Sequence, residues 1–520
     1  RDGVGEYDYV HNSAHVLSFW EQRVKEVAGL DNLYTLGMRG VHDGAMNGAK
    51  TIEEQKAVLT KVLRDQRDLL TKYVNKDVTQ VPQVFIPYKE VLDVYHAGLQ
   101  VPDEVTLMWC DDNYGYIRHF PTAEERARKG GNGVYYHVSY WGRPHDYLWL
   151  GTAHPSLVYQ QMSLAYERGI QKMWILNVGD IKPAEYQVEL FLDMAWNLEE
   201  VKQQGIAAHQ RHFLEREFGK NRADRLQPVM QEAYRLAYIR KPEFMGNTRT
   251  EEKDPKFKVI SDLPWCEQEI NERLAAYRQL SDKVEQEWHA LPAQKKETYF
   301  QLVKYPVQAA AQMNNKLLTA QLARHGKADW ADSDRAYDSI VSLTKTYNTT
   351  KWNRMMDFQP RRLLVFNRVE RKALSSGLLE KPQAVYTWNG ADCVEGASVI
   401  CEGLGYEGKA VAVEKKKELT FEFAAWETDS VEVEVRLLPN HPVEGERLRF
   451  TISLDGSATE AVSYETKGRS EEWKENVLCN QAVRRMILPV ARKASHRLIF
   501  TALDEGVVLD QICLYMPRIK

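Results

Sequence analysis

Several kinds of functional signal are missing from this 520-residue sequence. No apolar run approaches the ~18 residues that a membrane-spanning helix requires. No long basic run occurs and the formal net charge is -4, so we expect neither a membrane nor a nucleic-acid partner. The sequence also has no Gly-rich phosphate-binding motif after a strand, no Gly-x-Ser-x-Gly nucleophile motif and no histidine cluster typical of a metal site.

Cysteine is scarce, and the six residues are far apart in the chain. They form no CxxC pair and no disulfide framework of the kind found in small secreted domains. We therefore expect free, mostly buried thiols, with a local Cys393–Cys401 disulfide as the alternative. The six positions are Cys110, Cys266, Cys393, Cys401, Cys479 and Cys513.

Apolar segments that each end in polar residues dominate the first 205 residues. They predict parallel strands at 33–38, 83–88, 104–110, 134–139 and 172–178, with helical patterns between them. Parallel β/α units of this kind place their carboxyl-terminal strand ends around one pocket. Because a closed (β/α)8 TIM barrel has eight strands, we expect an incomplete barrel whose remaining units precede Arg1. An open, five-stranded doubly wound sheet is the alternative.

The rest of the chain changes its periodicity twice. Residues 206–370 carry apolar positions at helical spacing and predict an all-α domain, suited to packing or dimerisation. Residues 371–520 carry short alternating segments and turn signals, which predict an antiparallel β-sandwich. Such a domain either binds carbohydrate or covers part of the catalytic domain. The predicted domains are therefore 1–205, 206–370 and 371–520.

Two carboxylates follow neighbouring predicted strands. Glu90 comes after a strand that ends in Tyr88, and Asp43 lies in the loop after the first strand. Inverting glycosidases use such a pair, a general acid and a base roughly 6.5–9.5 Å apart, to activate water opposite the leaving oxygen. The alternatives are a helix-start carboxylate for Glu90 and a turn residue for Asp43.

Further polar residues follow the same strands. Arg39 offers a planar fork for a substrate carboxylate, with a salt bridge to Asp43 or another local acid as the alternative. After the third strand, Asp111 and Asn113 are candidates for binding sugar hydroxyls. Strand alternation predicts that these two side chains, but not Asp112, face one side.

Three more candidates come from the last two predicted strands. His137 lies within its strand, where a lone histidine is more often a core residue than a catalyst. Tyr140 and Asn177 lie at or near strand ends and are plausible hydrogen-bond donors to sugar hydroxyls.

A series of motifs in the same order closely resembles glycoside hydrolase family 115. The motifs are Gly37–Gly40 with Asp43, Pro87–Glu90, Trp109–Arg118, Tyr136–Gly142, Gly151–Pro155, Trp174–Asp180 and Lys351–Met356. The resemblance implies a xylan α-1,2-glucuronidase that removes glucuronic acid or its 4-O-methyl ether with inversion. It also implies an α/β domain, a TIM barrel, a helical domain and a β-sandwich in that order, of which this chain is an N-terminally truncated part.

The resemblance also implies roles for individual residues. Glu90 matches the general acid and Asp43 the base. The residues that match contacts to the uronic acid are Arg39, Asn113, His137, Tyr140 and Asn177. It further implies that no cofactor is needed, that xylan or a glucurono-xylooligosaccharide is the partner, that a homodimer forms through the helical domain, and that the protein is secreted or periplasmic. The other readings are a barrel glycosidase for another sugar and a non-catalytic carbohydrate-binding or assembly fragment.

Overall fold

The structure is a computed structural model that describes residues 5–41, 44–250, 252–372, 374, 377–396, 398–492 and 494–517. The chain divides into two units, and each is described by itself. The first contains Arg1–Asp112, Ile117–Tyr136 and Ser163–Ile175, and the second contains Asn113–Tyr116, His137–Met162 and Leu176–Lys520.

A five-stranded sheet, with its strands in chain order, occupies the N-terminal part of the protein. The pairs β1–β2, β2–β3 and β3–β4 are parallel. The strands are β1 (Tyr34–Leu36), β2 (Gln83–Phe85), β3 (Thr106–Cys110), β4 (Asn132–His137) and β5 (Ile170–Asn177). The prediction of five parallel strands with intervening helices is confirmed, although β1 and β2 are shorter than predicted.

Helices alternate with these strands. They are α1 (Ser13–Val27), α2 (Ile52–Tyr73), α3 (Glu90–His96), α4 (Ala123–Arg126), α5 (Pro155–Glu167) and α6 (Glu185–Gln204). The N-terminus of helix α2 is set by side chains close to it in the sequence. Thr51 Oγ1 accepts from Glu54 N at 3.2 Å and Glu54 Oε2 accepts from Thr51 N at 3.1 Å, which is a complete capping box.

Strand β1 ends early because its next residue cannot continue an ordinary strand. Gly37 has φ +107°, a conformation that favours glycine. Its peptide is held by Gln66 of α2, whose Oε1 accepts from Gly37 N at 2.8 Å and whose Nε2 donates to Gly37 O at 3.1 Å. The chain therefore leaves the sheet here and continues towards Arg39.

Helices account for most of residues 206–348. They are α7 (Ile206–Phe218), α8 (Lys220–Ile239), α9 (Glu267–His289), α10 (Ala293–Tyr299), α11 (Tyr305–Arg324) and α12 (Trp330–Asn348). A π-helical turn, Phe300–Lys304, joins α10 to α11. Helix α11 is buried along most of its length and packs against α9 and α12.

The C-terminal part contains two antiparallel sheets around one apolar core, as predicted. One sheet has the order β13-β12-β16-β10-β7 with β14 beside β12, and the other has the order β15-β11-β17-β9-β8 with β6 beside β17. The elements are β6 (Tyr386–Asn389), β7 (Glu395–Gly396), β8 (Val399–Glu402), β9 (Lys409–Ala412), β10 (Glu418–Ala424), β11 (Ser430–Leu437), β12 (Arg449–Leu454), β13 (Ser457–Ala458), β14 (Val462–Ser463), α13 (Glu471–Cys479), β15 (Ala482–Pro489), β16 (Ser495–Ala502) and β17 (Val508–Tyr515).

The six cysteines are free thiols, and Cys110, Cys401 and Cys513 are buried. This confirms the prediction of free thiols and excludes the alternative Cys393–Cys401 disulfide. Within the described ranges, no helix combines the length and the apolar character needed to cross a membrane.

Candidate functional site

Arg39 and Glu90 form a bidentate ion pair in the first unit. Arg39 Nε lies 2.9 Å from Glu90 Oε1, and Arg39 Nη2 lies 3.0 Å from Glu90 Oε2. The Arg39 guanidinium also lies 5.0 Å from the centre of the Tyr88 ring. The sequence left open which local acid would pair with Arg39, and the structure gives Glu90. A guanidinium fork that fits this carboxylate has the geometry to fit a substrate carboxylate as well.

The backbone just before Glu90 is strained. Lys89 has φ +53° and ψ -120°, which a residue with a side chain rarely adopts. Its Nζ lies 4.9 Å from the centre of the Tyr88 ring, so two cations contact this ring. Glu90 is the first residue of α3, the helix-start position that the sequence analysis gave as the alternative for this residue. Strain of this kind is concentrated at functional sites, where it sets the direction of a neighbouring side chain.

The polar residues after β3 are buried, but one part of their prediction was wrong. Asp111 forms an isolated antiparallel bridge with Ile117, and both Asp111 and Asp112 are buried. The strand ends at Cys110, and Asn113 has φ +73°. Strand alternation therefore does not extend to Asn113, and it does not place Asp111 and Asn113 on one face.

In the second unit, His137, Tyr140 and Asn177 lie together. His137 and Asn177 are the last residues of β4 and β5. The Asn177 amide nitrogen lies 3.2 Å from His137 Nε2, an arrangement in which the amide donates and the ring nitrogen accepts. The Tyr140 ring packs edge-on against the His137 ring, with centroids 5.8 Å apart. The structure therefore brings together three residues that the sequence selected separately.

A short hairpin-like loop carries Tyr140 and depends on a glycine. Tyr140 and Tyr147 exchange two backbone hydrogen bonds, of 3.1 and 3.0 Å, which close the loop 141–146. A Cβ at Gly142 would lie only 2.2 Å from Tyr140 Oη and 2.3 Å from Tyr140 Cζ. Gly142 therefore lets the Tyr140 ring lie flat against the backbone. Sequence reasoning quoted this glycine within a motif but gave it no role.

Two models of one family match this chain. The model described as Glycosyl hydrolase family 115 matches residues 1–244, and the model of the family 115 C-terminal domain matches residues 397–520. A solved structure is described as a family GH115 4-O-methyl-alpha-glucuronidase, BtGH115A, with specificity for decorated arabinogalactans. It is 68% identical to this chain, with a TM-score of 0.97. The match covers 99% of this chain and 68% of that chain.

The chain belongs to glycosyl hydrolase family 115. It is a glycoside hydrolase and a homologue of an α-glucuronidase.

Two carbohydrate-binding modules of known structure each match about a quarter of this family 115 chain. A family 35 carbohydrate binding module from an environmental isolate is 11% identical and covers 25% of this chain and 93% of its own, with a TM-score of 0.21. The C-terminal CBM6 of LamC, a laminarinase of Zobellia galactanivorans, is 9% identical and covers 25% of this chain and 98% of its own, with a TM-score of 0.19. These values are too low to support any argument about function. No curated protein sequence matches the chain.

Contacts from distant parts of the family 115 chain hold residues 113–116. Tyr147 Oη donates to Asn113 O at 2.6 Å. Trp473 of α13 packs edge-on against Tyr114 at 5.8 Å, and Tyr116 Oη donates to Asn480 Oδ1 at 3.0 Å. The C-terminal region therefore covers and supports this loop. Sequence reasoning missed these supports because nothing in the local pattern marks a residue more than three hundred positions away.

Two buried charges after α8 hold the chain beyond the loop 141–146. Lys241 Nζ donates to Thr152 O at 3.0 Å and lies 4.8 Å from the centre of the Tyr147 ring. Glu243 Oε1 accepts from Trp149 N at 3.2 Å. Burial lowers the pKa of Lys241 and raises the pKa of Glu243 because it disfavours the charged form of each. These two side chains hold the backbone at Trp149 and Thr152, and the sequence gave no signal for them.

Asp43, the predicted base, lies outside the described residues, and its role stays a prediction. Among the residues that are described, no group of three or more His, Cys, Asp or Glu side chains is arranged to hold a metal ion.

Proposed function

We propose that this protein removes α-linked glucuronic acid or 4-O-methylglucuronic acid from a decorated polysaccharide. The similarity to a family GH115 4-O-methyl-alpha-glucuronidase, at 68% identity over 99% of this chain, carries the proposal. That relative is described as specific for decorated arabinogalactans, so a decorated arabinogalactan is the first substrate to test. Glucuronoxylan, with the α-1,2 linkage that the motif resemblance implies, is the second.

In the proposed reaction Glu90 is the general acid and Asp43 the base. Glu90 gives its proton to the glycosidic oxygen as the bond from that oxygen to the anomeric carbon breaks. Asp43 takes a proton from a water whose oxygen bonds to the opposite face of the anomeric carbon, which inverts the configuration. Asp111, Asn113, His137, Tyr140 and Asn177 are proposed to contact the uronic acid.

The ion pair between Arg39 and Glu90 bears on how the substrate carboxylate is bound. In the structure both carboxylate oxygens of Glu90 are paired with the Arg39 guanidinium. A uronate carboxylate presents the same two oxygens to Arg39. We propose that it replaces Glu90 in this ion pair, so that Arg39 binds the substrate carboxylate and the Glu90 side chain is free to act on the glycosidic oxygen.

The test measures release of uronic acid from both polysaccharides by the wild-type chain and by Glu90→Gln. We expect Glu90→Gln to lower kcat by roughly 10²–10⁴-fold, the usual range for a general acid. Glu104→Gln is a matched control because Glu104 pairs with Arg67 at 2.5 Å with similar side-chain burial. Full activity in Glu90→Gln would exclude this role, and equal losses in both variants would indicate general damage to the fold.

Other expectations of the sequence analysis stay proposals. They are the domain boundaries at 1–205, 206–370 and 371–520, a homodimer through the helical domain, and a secreted or periplasmic location. Sedimentation of the purified chain tests the homodimer directly.

A further inference from the structure

Trp141 is an exposed aromatic side chain in a loop whose other rings are buried. Its side chain is 64% exposed, whereas Tyr140, Tyr147 and Trp149 are at most 7% exposed. A large ring is normally buried because exposure of its apolar surface to water is unfavourable. Trp141 therefore presents an indole ring to solvent beside a proposed sugar-binding residue.

The backbone on either side of Trp141 is firmly held. Gly142 N donates to Asp146 Oδ1 at 2.7 Å, and Asp146 N donates to Thr250 Oγ1 at 3.2 Å. Thr250 N in turn donates to Pro144 O at 2.7 Å. Together with the two backbone bonds between Tyr140 and Tyr147, these contacts fix the loop. The exposed ring is thus presented by an ordered hairpin.

One face of the Trp141 ring is covered by a cation. The Arg361 guanidinium carbon lies 4.1 Å from a ring centroid, within the range of a cation–π contact. Arg361 also forms an ion pair with Asp146, whose side chain is only 2% exposed. The backbone of Arg361 has φ +52°, a strained conformation for a residue with a side chain. Arg361 therefore occupies one face of a ring that is still 64% exposed as a whole.

We propose that the open face of Trp141 stacks against an uncharged pyranose ring of the polysaccharide main chain. The C–H face of such a ring is flat and apolar, and it matches an indole face in size. An uncharged sugar is favoured because the charge of Arg361 is already balanced by Asp146. The location next to Tyr140 places the platform beside a proposed contact to the uronic acid. This inference rests on the proposed function and adds a subsite to it.

Affinity gel electrophoresis in polysaccharide from which the uronic acid has been removed tests the platform separately from catalysis. The probes are uronate-free arabinogalactan and uronate-free xylan, and the variants are Trp141→Ala, Trp141→Phe and Trp196→Ala. Trp196→Ala is the matched control, since Trp196 is 92% exposed on α6. We expect the wild type to bind at least one probe, Trp141→Ala to bind it at least tenfold more weakly, and the other two variants to bind within threefold of wild type.

Several outcomes would overturn the inference. They are the absence of binding by the wild type, equal binding by Trp141→Ala, and an equal loss in Trp196→Ala. Steady-state kinetics on the decorated polysaccharide add a second readout, in which Trp141→Ala raises KM at least tenfold and changes kcat less than threefold. If the wild type binds through Trp141 but releases no uronic acid, the proposed function fails and the platform stands.

Discussion

Gly142→Ala is the substitution whose effect on the site is best defined by the geometry. The new Cβ would lie 2.2 Å from Tyr140 Oη, 2.3 Å from Tyr140 Cζ and 2.7 Å from Tyr140 Cε1. Carbon atoms in contact are separated by roughly 3.5–4.0 Å. The Tyr140 ring must therefore move by about 1 Å or more, or the loop backbone must shift by a similar amount. Either change alters the packing of Tyr140 against His137.

The expected cost follows from this displacement. A misplacement of about 1 Å in a group that orients the substrate costs about 10²-fold in rate. We therefore expect kcat/KM for uronic acid release to fall about 10²-fold, which corresponds to about 3 kcal/mol of transition-state stabilisation. The effect should exceed that of Gly29→Ala, because no atom lies within 4 Å of a Cβ at Gly29.

A double-mutant cycle separates displacement of Tyr140 from loss of the fold. Removing the ring also removes the clash, so Gly142→Ala combined with Tyr140→Ala should melt like Tyr140→Ala alone and show the same kcat/KM. Activity and melting temperature are measured for both single variants, the double variant and Gly29→Ala. A folded Gly142→Ala protein with kcat/KM within threefold of wild type would refute the role given to Tyr140.

Two further predictions concern the pH dependence of stability. Burial lowers the pKa of Lys316 to about 7 from its ordinary 10.5. Between these two pH values the Lys316 amine is protonated only in the unfolded chain, so the free energy of unfolding rises with pH. Urea unfolding should show a rise of about 2 kcal/mol from pH 7 to pH 9. The rise should be absent in Lys316→Met, and an unchanged rise would contradict the assignment. Burial lowers the pKa of His145 to about 4 from its ordinary 6.5. Between these two pH values the imidazole is protonated only in the unfolded chain, so the free energy of unfolding should fall as the pH drops from 6.5 towards 4. His145→Gln should remove about 2 kcal/mol of the loss between pH 7 and pH 4.5, and the same loss in this variant would show that other groups cause it.

The sheet and helices were predictable because their signals are local. Each strand is an apolar segment followed by polar residues, and that order is set by burial of the strand and exposure of its end. The start of α2 at Thr51 was also predictable, because a capping residue and Glu54 three positions later satisfy free N–H groups at a helix start. These features need no knowledge of distant parts of the chain.

The partners of the candidate residues were less predictable. The sequence offered Arg39 more than one carboxylate, and only the folded chain shows that Glu90 is its partner. The positive φ of Asn113 ended the strand alternation on which its predicted orientation depended. The contact between Tyr116 and Asn480 joins residues 364 positions apart, and no local pattern encodes such a contact.

Backbone strain links three of the residues discussed above. Lys89, Asn113 and Arg361 all have positive φ, and each such conformation costs on the order of 1–3 kcal/mol in a residue with a side chain. Glycine would relieve the strain at Asn113 and Arg361, but it would also remove the amide proposed to contact the uronic acid and the guanidinium that supports Trp141. At Lys89, the same strain sets the direction in which the chain enters α3 at Glu90. A glycine substitution at Asn113 or Arg361 would therefore change the backbone strain and the side-chain contacts together.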